Sequence, residues 1–284
     1  MPPAATSAPI LVAQGAEATP LQIAALAELA RASESVAVGE RAWHLRGATH
    51  REGVAAWCEA HGLDHAWIPE GRRFGDLRLI AMDMDSTLIT IECIDELGGT
   101  YGKKAEISAV TAQAMRGEID FPESLRRRVA LLAGLDEEAL HEVYEEKLRL
   151  SPGADALLAA CRMKGLKVLL VSGGFTFFTE RLKARLGLDD TLSNVLEIDG
   201  GKLTGRVLGP IVDADAKAAK LRQMMARMGI GKAQAIAIGD GANDLKMMAE
   251  AGLSVAYRAK PVVRAQATHA LSHSGLDGVL SLFV

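Results

Sequence analysis

The sequence is poor in cysteine, in long apolar runs and in excess charge of either sign. It holds three cysteines, Cys58, Cys93 and Cys161, far apart and with no CxxC pair. That argues against a disulfide framework and a structural zinc site, and makes a reducing cytoplasm the simpler setting. Each thiol then reads as a small buried hydrophobe. No stretch of about 18 apolar residues occurs, so no membrane-spanning helix is expected. The opening MPPAATSAPILVAQG lacks the basic start and long apolar segment of a signal peptide. A net charge of −4 gives no general attraction to nucleic acid or to an anionic membrane. An anionic ligand must therefore be held by a local site. No repeat or low-complexity segment stands out.

What is present suits a globular chain with an ordinary buried core. The 284 residues are 49% apolar and 24% charged, enough for a large domain and a small one. Residues 1–9 are rich in Pro, Ala and Ser, and disorder is expected there. Residues 1–75 form a small N-terminal α/β module, with strands expected at 10–13, 42–46 and 64–68 and helices at 20–31 and 51–61. It carries no catalytic pattern. Pro69, Gly71 and Gly75 mark a linker, and a second domain is expected over 76–284.

The rhythm changes at residue 77. Short, nearly continuous apolar runs occur at 77–82, 168–171, 235–238 and 253–256. Such runs suit strands buried on both faces of a parallel sheet, and intervening helical patterns suggest a doubly wound α/β fold. Ligands of such sheets bind beyond the carboxyl ends of the strands. There the chain reads MDMDST, SGG and GDGAND. About 85 residues separate the first two runs, more than a crossover needs. Helical spacing at 105–116, 122–133 and 136–150 makes residues 94–150 an inserted helical cap, with Asp136 signalling the start of its last helix. Ser151-Pro152 is expected to cap a helix ending at Gly165. Asp199-Gly200-Gly201 suggests a hairpin over 194–207.

Asp83 and Asp85 stand one residue apart directly after a buried strand. In an extended chain both carboxylates face one side. One can attack a phosphoryl group while the other protonates the leaving oxygen and then activates water. Alone, the pair would fit a solvated acidic loop equally well. Ser172-Gly173-Gly174 offers a hydroxyl and approachable backbone N–H groups ahead of a helix N-terminus. Asp240 is a candidate magnesium ligand, and Asp244 stands behind it or binds through water. Lys217 offsets the repulsion among four acids and can hold Asp83 ionised.

In order, DxDST, SGG, a lysine and GDGAND over residues 77–257 resemble the haloacid dehalogenase superfamily of phosphohydrolases. The resemblance implies that fold, with Asp83 as nucleophile and Asp85 as acid/base. It implies that Ser172 and Lys217 bind the phosphoryl group or orient the nucleophile. It also implies Mg2+ held by Asp83, Asp85 (through its backbone carbonyl) and Asp240. DMDSTLITIECIDELG further resembles the opening of phosphoserine phosphatases, with Glu92 nine residues after the nucleophile. The segment FPESLRRRV resembles their cap, with Phe121 and Arg128 facing the substrate; DADAKAAKL and IGDGANDLKMM match as well. This implies that Glu92 receives an ammonium and Arg128 a carboxylate, with Phe121, Ser172, Gly173, Lys217 and Asn243 lining the site. The N-terminal module is a partial version of the ACT-like regulatory segment that some members carry.

The implied activity is magnesium-dependent hydrolysis of O-phospho-L-serine to serine and phosphate through an aspartyl-phosphate, the last step of serine biosynthesis. The alternative is a related phosphatase for another small phosphomonoester. A phospho-acceptor signalling domain also uses an Asp cluster with Ser/Thr and Lys, but the cap and Asp85 argue against it. A non-catalytic binding module is disfavoured, since no acid is missing. The expected partner is a small molecule, with neither nucleic acid nor membrane; a homodimer is one assembly open to the chain.

Overall fold

The computed structural model describes residues 9–284. Residues 1–8 of the segment expected to be disordered lie outside the described residues.

The N-terminal module runs β1 (Ile10–Gln14), α1 (Pro20–Leu29), β2 (Glu34–Gly39), β3 (Ala42–Arg46), α2 (Val54–Ala60) and β4 (Asp64–Ile68). Its antiparallel sheet has the order β2-β3-β1-β4. Thr19 caps α1 in a reciprocal pair with Gln22, ahead of Pro20. Strand β2 was not expected. It is an edge strand with almost every side chain exposed, so it carries no alternating pattern.

Strand β5 (Leu79–Met82) opens the larger domain. The cap follows as α3 (Cys93–Thr100), α4 (Lys104–Met115), α5 (Phe121–Ala130) and α6 (Glu138–Glu142). The chain then continues through α7 (Ala154–Lys164), β6 (Lys167–Phe175), α8 (Thr176–Leu186), β7 (Asp190–Asp199), β8 (Lys202–Leu208) and α9 (Ala214–Met228). It ends with β9 (Ala235–Gly239), α10 (Leu245–Glu250), β10 (Leu253–Tyr257), α11 (Pro261–Arg264), β11 (His269–Leu271) and a 3-10 turn at Leu276–Leu282. The sheet order is β11-β10-β9-β5-β6-β7-β8, parallel except for β8.

The apolar runs have the expected cause. Ile80, Met82, Val168, Leu170, Ile236 and Ile238 enter one core, while their neighbours Leu79, Ala81, Leu169, Val171, Ala235 and Ala237 enter the other. Both faces are dry, so neither strand position is free to be polar. Met82 pairs with Leu170 on one side and Ile238 on the other, which aligns the carboxyl ends of β5, β6 and β9.

The cap leaves and rejoins the domain through two adjacent antiparallel segments. Thr90 N–H donates to Arg149 O at 3.0 Å and Ser151 N–H to Leu88 O at 2.9 Å. Across the cap, Gly134 N–H donates to Leu203 O and Leu203 N–H to Leu135 O, tying the cap to the β7–β8 hairpin. Two capping expectations change here. Asp136 does not cap α6; its carboxylate takes the Lys202 ammonium at 2.6 Å, and Glu137 stands at the helix start. Gly153, at φ 77°, rather than Ser151-Pro152, precedes α7. The left-handed Gly165 ends that helix as expected.

The module is fused to the larger domain by packing. Ile10, Val12, Ala66 and Ile68 share one core with Leu77, Leu276, Val279, Leu282 and Phe283. Gln14 Nε2 donates to Gly278 O at 3.0 Å. His44 Nε2 lies 2.8 Å from Ser281 O, and since a carbonyl only accepts, Nε2 carries the proton. Burial lowers the His44 pKa, in keeping with a neutral ring. The Asp64 carboxylate accepts from the backbone N–H groups of Ser272, His273 and Ser274, at 2.6–3.2 Å. Asp64→Ala orphans those donors at a buried seam and is expected to cost about 2–4 kcal/mol of unfolding free energy. Urea denaturation of the whole chain measures it. Asp64→Asn, which keeps one acceptor oxygen, should fall between the variant and the wild type.

Candidate active site

A cleft of ≈ 810 Å³ lies between the cap and the aligned strand ends. Asp83, Asp85, Glu92, Phe121, Arg128, Gly173, Asp240 and Asn243 all line it. Ser172 and Lys217, 0% and 1% exposed, lie behind the wall rather than in it.

Asp83 follows β5 directly, and its N–H continues the ladder by donating to Ile238 O at 3.0 Å. Its Oδ1 accepts from Met84 N–H at 2.7 Å. Met84 turns into the core, so Asp83 and Asp85 emerge on the cleft side. Ser86 then adopts φ +55°, a costly conformation for a residue with a side chain, which reverses the chain. The reversal lets Ser86 Oγ donate to Glu92 Oε1 at 2.7 Å and Cys93 N–H donate to Asp85 Oδ1 at 3.0 Å. Thr87 Oγ1 donates to Asp240 Oδ1 at 2.9 Å.

The Lys217 ammonium lies 2.8 Å from Asp83 Oδ2 and 2.8 Å from Asp244 Oδ1. Asp213 caps α9 by accepting from Ala216 N–H, which aims Lys217 inward from the first helical turn. Burial alone would lower the Lys217 pKa, but Asp244 and Asp83 outweigh it and raise it. Asp83 is pushed well up, first by burial and then by Asp244, against the pull of Lys217. Two carboxylates share one ammonium, so the site has more negative charge than it can pair.

Burial raises Asp85 as well, although its bonds with Cys93 and Ser172 oppose the rise. Asp240 is raised to about 6, by burial and by Asp244. Glu92 is raised to about 8 by the surrounding protein and then by Asp85. Its side chain also meets the open cleft, and solvent there screens part of that effect.

One oxygen each from Asp83, Asp240 and Asp244 lies within 4.8 Å of the others. A converging set of hard oxygen donors carrying surplus negative charge suits Mg2+. Gly239 keeps the set tight: a Cβ there would stand 2.4 Å from Asp244 Oδ2.

The SGG segment differs from expectation in one respect. It does not follow the strand but lies within it; β6 continues through it to Phe175, with a register break after Val171, and α8 starts at Thr176. Ser172 Oγ accepts from Gly174 N–H at 2.8 Å and lies 3.5 Å from Asp85 Oδ2. The two glycines are needed for space. A Cβ on Gly173 would meet the Phe121 ring at 2.8 Å, and one on Gly174 would meet Asp85 Oδ2 at 2.7 Å.

Sequence reasoning passed over several supports. Asn194, buried in β7, donates to Gly173 O and accepts from Val212 N–H, each at 2.8 Å. A polar residue inside an otherwise β-prone run was the available signal. Thr87 lies within the motif that drew attention to the site, but its partner Asp240 is distant in sequence. Removing Lys217 tests the charge arrangement directly. Lys217→Met leaves Asp83 and Asp244 buried without a counter-charge, and about 3–5 kcal/mol of unfolding free energy should be lost. Urea denaturation at neutral pH measures it; acidification, which neutralises the acids, should shrink the difference from wild type.

Residues 80–249 match the family of haloacid dehalogenase-like hydrolases. The chain is 57% identical over 215 residues to a phosphoserine phosphatase of Polaromonas sp. strain JS666, covering 74% of this chain and 91% of the relative. It is 55% identical over 216 residues to a phosphoserine phosphatase of Albidiferax ferrireducens, with the same two shares. The unliganded crystal structure of a probable phosphoserine phosphatase from Vibrio cholerae aligns with a TM-score of 0.84 at 40% identity, over 96% of this chain and 86% of that one. That alignment takes in the N-terminal module as well as the larger domain. By family match, sequence identity and fold, the chain belongs to the haloacid dehalogenase-like hydrolases.

Proposed function

We propose that this protein hydrolyses O-phospho-L-serine to L-serine and phosphate. The observation that carries the reading is the pairing of an Asp83/Asp85 centre with a cap wall that presents both Glu92 and Arg128 to the same cleft. Relatives named phosphoserine phosphatase, more than half identical over 74% of this chain, support it.

The chemistry follows from the side chains. The Asp83 carboxylate attacks phosphorus, and the bond from phosphorus to the seryl oxygen breaks. Asp85, its pKa raised by burial, gives its proton to the departing oxygen. The Asp85 carboxylate then takes a proton from water, whose oxygen displaces phosphate from Asp83. Lys217 holds Asp83 in place throughout. Asp83, Asp240 and the Asp85 carbonyl would hold Mg2+, with Asp244 beside them. Bound there, it supplies the positive charge that lets an anionic substrate approach four acids and stabilises the transferring group. Gly173 and Gly174, which line the cleft, let the phosphoryl group approach the backbone, while Ser172 behind them holds Gly174 N–H and stands beside Asp85.

Arg128 is the carboxylate receptor. Its Nε reaches Ser124 O at 3.4 Å, and among the described residues its guanidinium makes no ion pair. Burial lowers its pKa, while Asp95, Glu92 and Asp85 oppose that. Such a group gains from an incoming carboxylate, which it can take through two parallel bonds. Glu92 takes the ammonium. Such an activity fits the last step of serine biosynthesis, and the three free cysteines fit a reducing cytoplasm.

Three experiments test the reading. Phosphate release from phosphoserine should stop in EDTA and return with Mg2+, and acid-quenched enzyme should carry phosphate on Asp83, as read by mass spectrometry. Turnover in excess chelator, or label on Ser86 or Ser172, overturns the chemistry. Arg128→Ala should lower kcat/KM for phosphoserine by about 2–4 kcal/mol, and much less for p-nitrophenyl phosphate, which has neither charged group. The neighbouring Arg127, paired with Glu123 on the exposed face, is the control. Equal damage to both substrates removes the recognition role.

A further inference from the structure

The cap wall holds a second carboxylate that the phosphoserine reading does not use. Asp95 lines the cleft together with Glu92 and Arg128. It occupies the third position of α3, where an acid commonly reaches back to the backbone N–H of the residue preceding the helix. Here it does not. Among the described residues its side chain makes no hydrogen bond and no ion pair within 4.0 Å, although the helix N-terminus favours a negative charge there. Three N–H groups of this first turn already have other partners. Cys93 N–H goes to Asp85, and those of Asp95 and Glu96 go to Glu92 O at 3.0 and 3.1 Å. Glu92 itself is held by Ser86. On the cap side of the cleft, two carboxylates therefore stand against one guanidinium.

We propose that Asp95 is a specificity-determining residue that makes the cap chamber demand an ammonium on the substrate. This rests on the phosphoserine reading. Asp95 is the carboxylate nearest in effect to Arg128 and also acts on Glu92. A substrate that brings a carboxylate alone meets one cation and two anions, and is repelled. A substrate that brings an ammonium with its carboxylate matches the wall group for group. Glu92 and Arg128 supply attraction to the correct ligand; Asp95 adds rejection of the wrong one. The role is electrostatic, so it depends on a carboxylate at this position rather than on its length.

The test uses an isosteric pair. L-glycerate 3-phosphate differs from O-phospho-L-serine by a hydroxyl in place of the ammonium. The quantity measured is the ratio of kcat/KM for phosphoserine to that for L-glycerate 3-phosphate, in the magnesium-loaded full chain. Asp95→Asn should reduce that ratio about 10-fold or more, the scale set by one close charge contact, with the change carried mainly by KM. Asp95→Glu should keep most of it. An unchanged ratio in Asp95→Asn, or equal losses in both variants, overturns the proposal. If Asp95→Asn fails to fold, as read by thermal melting, Asp95→Glu and Asp95→Ser carry the same comparison. A wild-type enzyme that turns over the two compounds equally refutes the phosphoserine reading itself. A selective wild type with an unresponsive Asp95→Asn refutes only the role of Asp95.

Discussion

A buried ammonium shared between two buried carboxylates organises the rest of this molecule. Lys217 reaches Asp83 at the end of β5 and Asp244 beyond β9, so one side chain from α9 fixes two strand ends relative to each other. Its contacts compensate only part of the negative charge. Asp83, Asp85, Asp240 and Glu92 are all pushed towards their protonated forms, burial being the largest cause for each. A centre so arranged resists an anionic substrate until positive charge is added, which is the physical reason for reading the acid cluster as a cation site. The small residues around it serve the same end. Gly239 and Gly174 stand where a methyl group would collide with Asp244 or Asp85.

The parts legible in sequence were those where a residue's environment imposes a pattern along the chain. Strands β5, β6 and β9 read as continuous apolar runs because successive residues enter opposite cores. The acids after them were legible because buried chemistry needs them close together in the chain. What escaped was set by partners distant in sequence. Strand β2 buries almost nothing, and β11 has three residues. Asp136 has the form of a helix cap, yet Lys202 in the hairpin claims its carboxylate. Asn194 and Thr87 support the site through residues far along the chain, and nothing in their own neighbourhoods declares it.

The seam between the two parts of the chain shows the same effect. Pro69, Gly71 and Gly75 read as a linker, and locally they are one. The linker nevertheless joins surfaces that are not independent. Both sides contribute to a single core, and Asp64 takes the amides of Ser272 through Ser274. The last residues of the chain therefore complete the first module, and the two parts gain stability from one another.

The two attachments of the cap have a mechanical corollary. Backbone bonds fasten it at the Leu88–Ser151 stem and again where Gly134 and Leu135 meet Leu203. A body pinned at two separated points cannot swing as a rigid flap. Between those pins, α4 ends at Met115, whose Sδ lies 3.5 Å from Lys260 Nζ of the larger domain, and both side chains line the cleft. The start of α3 is anchored as well, since Ser86 holds Glu92 and Cys93 N–H donates to Asp85. The groups that face the ammonium in the proposed reaction are thus tied to the same loop that carries Asp83 and Asp85, so recognition and chemistry share one hydrogen-bonded frame.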